Sequence, residues 1–240
     1  MRGATDTATA GEKAHITIAH DVYLRLRDDI LNGRCAPAAP LKFDALREKY
    51  KVGVSPLREA LSSLANERLV TLSGFKGYRV AAFTLEELRD IAANRRMLES
   101  EALASAIENG GDDWEANIVA ALHRLQLSKA QGTNAAAFDE WERRHADFHT
   151  ALLAGCASQW LLHMTQLLSA HHQRYRRSIW DYSTRSPRLA RKFAEQHAEL
   201  AQLAIKRKSK AATALLKAHY DDSANALIEE FATRRAAGLV

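Results

Sequence analysis

The chain is short of everything that would fix a fold covalently or hold it in a bilayer. Its 240 residues include two cysteines, Cys35 and Cys156, far apart and outside any Cys-x-x-Cys spacing. They build neither a disulfide framework nor a thiolate zinc site, and a reducing cytoplasm is the expected compartment. No apolar run approaches the roughly 18–20 residues of a membrane span, so a soluble protein with no membrane partner is expected. The opening stretch, 1–15, lacks the apolar centre of a secretory signal and is rich in Ala, Thr and Gly, which reads as a disordered arm. Prolines number only four. Pro37 and Pro40 make a non-helical connector, while Pro56 and Pro187 stand where helices begin.

Acidic charge is also scarce at one end. The net charge is +5, and residues 16–82 hold 11 Lys/Arg against 7 Asp/Glu. That asymmetry favours a polyanionic partner for the first third of the chain. A length of 240 residues suits two domains at roughly 100–200 residues each.

What is present divides the same way. Val22, Leu24, Leu26, Ile30 and Leu31 give a helical period over 19–33, stopped by Asn32-Gly33. Two short amphipathic segments follow, 43–50 and 56–69, separated by the five residues 51–55. Ser55-Pro56 reads as an N-cap followed by the first helical position, with Glu59 in the first turn. Residues 70–72 and 78–80 flank a glycine-containing turn, which predicts a hairpin. Three helices followed by a hairpin outline a winged helix-turn-helix over 16–82. From Thr84, whose spacing to Glu87 makes a capping box, the texture turns to long helices. Helical stretches over 84–108, 113–130, 135–153, 159–182, 187–206 and 211–232 predict an all-helical bundle over 83–240. The predicted fold class is therefore mainly α.

Two constellations carry chemistry. Arg58 sits early in the second helix of the helix-turn-helix, where a guanidinium can fork onto guanine O6/N7 or a phosphate. Its bland alternative is a solvated surface arginine. Ser55, Lys42, Lys51, Lys76, Gly77 and Arg79 surround it in sequence or on the wing, and the cations among them suit phosphate contacts. The second constellation is histidine. His145 and His149 share one helix face, and His197 and His219 stand on two later helices. Together they would make a mostly nitrogen site for zinc, nickel or a similar metal; singly, each reads as a surface or satisfied core residue.

The segment 46–64 resembles the DNA-binding helices of the GntR superfamily of bacterial regulators, with Pro56-Leu57-Arg58-Glu59-Ala60-Leu61 intact and Lys76-Gly77-Tyr78-Arg79-Val80 similar to the family wing. The resemblance implies operator contact by Arg58. Val54 and Gly53 depart from a family arginine and serine. The later helices resemble the FadR-type C-terminal domain known as FCD, through Arg95-x-x-x-Glu99, His145-x-x-Phe148-His149, Gln196-His197-x-x-Leu200 and Leu216-x-x-His219. That implies a metal held through an Asp-x-x-x-His pair and two later histidines. His149, His197 and His219 match the histidines, and His145 occupies the aspartate position. Asp147 points to another side of the helix, and Glu142 lies one turn further along the right face.

The resemblance also implies a small organic-acid effector bound beside the metal, with Arg95 best placed to meet a carboxylate and His171 and Arg174 as further lining. A simple Arg95–Glu99 ion pair is the alternative. The four tryptophans suit packing better than base stacking, and 206–210 reads as a basic turn between helices. The implied whole is a homodimeric regulator, a repressor by expectation, that binds double-stranded operator DNA. The competing expectations are a metal-dependent hydrolase, for which Glu142 is the one placed base, and a dimeric DNA-binding protein without effector.

Overall fold

The computed structural model describes residues 17–72, 74, 77–128, 135–178 and 186–238. The N-terminal arm, Lys76 of the wing and Trp180 lie outside them. Three helices come first: α1 (Ile18–Leu31), α2 (Phe43–Tyr50) and α3 (Val54–Asn66). Thr17 caps α1 by accepting from the His20 amide. Val22, Leu26 and Ile30 of α1 meet Leu57, Leu61 and Leu64 of α3 in one apolar cluster. The buried Asp29 carboxylate ties α1 to α2, accepting from the Tyr50 hydroxyl at 2.6 Å and pairing with Lys49 at 2.7 Å.

Lys51 closes α2 in the left-handed region (φ 55°), which turns the chain sharply enough for α3 to start at Val54. Gly53, not Ser55, is the N-cap of α3. Ser55 is the second helical residue. Pro56 is tolerated behind it because amides in the first helical turn have no intrahelical acceptor.

Strands β1 (Val70–Leu72) and β2 (Tyr78–Val80) pair antiparallel, with Val70 opposite Val80 and Leu72 opposite Tyr78. The proline connector lies along β2: Leu41 donates to the Tyr78 carbonyl and Val80 to the Ala39 carbonyl. Helices then take over as α4 (Leu85–Asn109), α5 (Asp112–Leu127), α6 (Ala135–Leu153), α7 (Gln159–Ser178), α8 (Pro187–Ile205) and α9 (Ser209–Ala236). Thr84 caps α4 as its spacing suggested, but Glu87 accepts from the Tyr175 hydroxyl of α7 rather than closing the box. Phe148, Leu152, Leu103, Ile118, Leu200 and Leu216 fill the core of this bundle, and α9 packs along α4. Among the described residues no helix is long and apolar enough to cross a membrane.

Helix α7 belongs to both halves. Its Ala170 joins the apolar cluster of the first three helices. Its Tyr175 packs with Leu88, Ile91 and Leu227 of the bundle.

Candidate metal centre, ligand cavity and DNA-contact face

Three helices converge on one point. His145 and His149 of α6, His197 of α8 and His219 of α9 are all buried, and each offers a ligand atom within 4.8 Å of the others. The spacing of four puts the α6 pair on one face. Their Nε2 atoms stand 3.2 Å apart, close to the roughly 3.3 Å expected for two nitrogens on one tetrahedral zinc at about 2.0–2.1 Å each. His145 Nδ1 and His197 Nε2 are buried without a hydrogen-bond partner among the described residues. Unpaired polar atoms at such depth are costly unless something binds them.

Burial holds all four rings neutral. It is the first cause that lowers His145, His149 and His219 well below the usual imidazole range and His197 to about 3, with Arg176 and neighbouring imidazoles reinforcing most of the shifts. Neutral imidazole is the form that ligates.

Outer partners fix two of the rings. His219 Nδ1 donates to Gln196 Oε1 at 2.8 Å, and the Gln196 amide donates to Asp222, leaving His219 Nε2 with a free lone pair. His149 Nδ1 lies 3.2 Å from the Tyr220 hydroxyl, which donates to Glu99. Arg95 completes that chain, donating to Glu99 at 2.6 Å and lying over the Tyr220 ring. Arg95 and Glu99 are thus not a solvated pair, and Arg95 is not among the residues lining the cavity beside the histidines. The two form a buried ion pair, 5% and 2% exposed at the side chain, that orients His149 through Tyr220.

A cavity of about 280 Å³ opens beside the histidines. His145, His197 and His219 line its polar end with Arg176, while Leu122, Leu125, Phe138, Trp141 and Phe193 are among its apolar walls. Arg176 is the residue that sequence reasoning missed. Its Nε donates to Glu142 at 2.8 Å and its Nη2 to the other carboxylate oxygen. Glu142, the one base a hydrolase would have, is therefore tied into an ion pair.

His171 and Arg174, expected at an effector pocket, lie instead at the junction of the two halves. His171 Nε2 donates to the Glu67 carbonyl at 2.7 Å and Arg174 Nη2 to the Ala81 carbonyl at 2.8 Å. Arg177, one turn on, donates to the Asn32 carbonyl at 3.2 Å. The reason is helical phase. Residues 171, 174 and 177 follow a three-residue step along the face of α7 that meets the first domain, and 176 falls on the face toward the cavity.

On the N-terminal side, the apolar residues of α3 point inward and leave Val54, Ser55, Arg58, Glu59 and Ser62 exposed. Lys42 and Lys51 are exposed at the two ends of α2, Gly77 holds a left-handed turn (φ 75°) at the start of β2, and Arg79 is half-buried on that strand. Nothing covers the leading edge of α3 among the described residues.

Comparison with known proteins finds two family models along the chain. Residues 18–80 match the model of bacterial regulatory proteins of the gntR family, and residues 90–222 match the FCD domain. The chain is 40% identical over 200 residues to the HTH-type transcriptional repressor GlaR of Escherichia coli (strain K12), covering 83% of this chain and 90% of that protein. It is 36% identical over 203 residues to the HTH-type transcriptional regulator BphR of Paraburkholderia xenovorans (strain LB400), covering 84% and 81%. The solved structure of E. coli McbR/YncC superposes with a TM-score of 0.76 at 19% identity, covering 90% of this chain and 99% of that one, which speaks for the fold. The chain belongs to the GntR family of bacterial transcriptional regulators, in the branch that carries an FCD domain.

Proposed function

We propose that this protein is a homodimeric repressor whose hold on operator DNA is set by a small organic anion bound beside a metal in the C-terminal bundle. The observation that carries the reading is the four-histidine cluster opening onto a cavity that Arg176 also lines. His145, His149, His197 and His219 would hold a divalent transition metal, zinc by preference for an all-nitrogen set. Bound there, the metal would supply positive charge at the wall of the cavity. Imidazole at the family's aspartate position leaves the metal charge uncompensated by any ligand, and Arg176 adds a second positive group. An anionic effector is the electrostatic complement of that chamber.

On the DNA side, the exposed edge of α3 supports groove entry, with Arg58 to read a base and Ser55, Lys42, Lys51, Gly77 and Arg79 to meet the backbone, joined by Lys76, which lies outside the described residues. Two copies related by a two-fold axis would present two such edges to the half-sites of a pseudo-palindrome. Helix α7 links the two functions. It offers Arg176 to the cavity and His171, Arg174 and Arg177 to three backbone carbonyls of the DNA-binding head. An effector that binds one setting of α7 better than another shifts the heads between DNA-competent and incompetent arrangements.

Gel shifts with the DNA upstream of the protein's own gene, run across a salt series, test the regulator. Binding should exceed that to random DNA, with its logarithm falling linearly against log salt; equal affinity for both DNAs rejects the reading. Metal analysis tests the effector half. Protein purified without chelators should carry about one metal per subunit, and the His149→Ala/His197→Ala variant should carry none. A metal-free wild type would leave a DNA-binding dimer without this centre.

A further inference from the structure

The cavity limits the anion further than its charge does. The strong polar groups of its described lining are three clustered histidines and Arg176. The side walls are carbon, with Phe138 and Trp141 at 5.7 Å between ring centroids, Trp141 stacked on His145 at 4.9 Å, and Leu122, Leu125, Phe193 and Leu227 closing the remainder. Beyond these, the described lining offers only neutral polar groups, those of Gln126, Ser128, Ser223 and the Trp141 indole, and Arg176 is its one Lys or Arg among the described residues. A volume of about 280 Å³ is about nine times the roughly 30 Å³ share of one water, which suits a ligand of about eight to eleven heavy atoms. Arg176 keeps donors for it. Of five guanidinium N–H groups, two go to Glu142 and one faces His172 Nδ1 at 3.4 Å, leaving two.

We propose that the ligand is a monocarboxylate with a hydrocarbon body, its carboxylate at the histidine–Arg176 end and its chain or ring against Leu125, Trp141 and Phe193. This rests on the effector reading above and narrows it. A second carboxylate on the same body would meet, among the described lining, only apolar side chains and the neutral groups of Gln126, Ser128, Ser223 and the Trp141 indole and no further cation, so most of its hydration would be given up unrewarded. A terminal hydroxyl pays a smaller penalty of the same kind.

The test uses three six-carbon ligands that differ only at the far end, with acetate as the bare carboxylate head. The zinc-loaded full chain is titrated calorimetrically with acetate, hexanoate, 6-hydroxyhexanoate and adipate. Hexanoate should bind at least tenfold more tightly than adipate, with 6-hydroxyhexanoate between them and acetate weaker than hexanoate. Arg176→Gln should weaken acetate and hexanoate alike by tenfold or more. Leu125→Gln, which leaves the charged end in place, should narrow the gap between hexanoate and adipate; it keeps the proposal testable if the Arg176 variant does not fold. Adipate matching or exceeding hexanoate overturns the ligand class while leaving an anion effector standing. Silence from all four on metal-loaded protein overturns the effector reading itself, and the ligand class with it.

Discussion

Arg58→Ala should cut operator affinity by at least about thirtyfold and leave the fold untouched. A good bidentate contact to a base edge is worth about 1–3 kcal/mol, and a two-fold dimer makes it twice. The lower bound is therefore about 2 kcal/mol, and the upper is on the order of ten-thousandfold at about 1.4 kcal/mol per decade. The fold should survive because Arg58 is exposed while Leu57, Ala60 and Leu61 beside it carry the packing. Titration of labelled operator at fixed salt, beside a sedimentation run and a thermal melt, separates the two effects. Affinity within threefold of wild type removes Arg58 from recognition. A phosphate-contacting role would show differently, weakening operator and random DNA to the same degree.

Acid should unfold the metal-free protein at a pH that most proteins tolerate. Six buried histidines, His145, His149, His171, His172, His197 and His219, are held below the usual imidazole value chiefly by burial. Their folded pKa values lie below their unfolded ones. As pH falls, the unfolded chain takes up protons first, beginning near the ordinary value of about 6.5, while the folded chain resists until far lower, near 3 for His197. Stability is therefore complete above about pH 6.5 and is lost as pH drops below it. Each histidine contributes a slope of up to about 1.4 kcal/mol per pH unit, so several together exceed the stability margin of an ordinary domain, about 5–15 kcal/mol.

Zinc should counter this near neutrality, adding about 4 kcal/mol at a thousandfold excess over its Kd, and should lose its effect as protons compete for the imidazoles. Thermal melts at pH 7.5 and 5.0, with zinc or with chelator, read all of this at once. A metal-free melting temperature that stays level between those pH values would mean the histidines are hydrated rather than buried.

The fold was readable because its signals are local. Cap residues, proline positions and apolar periods set most helices to within a few residues. The start of α3, two residues before the expected Pro56, turned on the left-handed Lys51, a conformation that sequence does not announce for lysine. The histidines were readable because i, i+4 spacing and a family likeness pointed the same way. Arg176 was not, because Arg174, Arg176 and Arg177 are near neighbours on one helix. Which of them faces the cavity depends on how α7 is rotated between two domains, and that phase is set by packing on both sides. Glu142 held the available clue, a carboxylate on the histidine face of α6 in want of a cation. Arg95 and Glu99 were legible as a pair, but their burial was not, since the ring that covers them, Tyr220, arrives from a helix 121 residues away from Glu99.

The joint made by α7 has a consequence for how such regulators diversify. His171, Arg174 and Arg177 grip main-chain oxygens of the head, at Glu67, Ala81 and Asn32, and every residue type presents the same oxygen. Substitutions along the exposed edge of α3 leave that grip untouched, so the surface presented there can change while the C-terminal bundle and its cavity stay as they are.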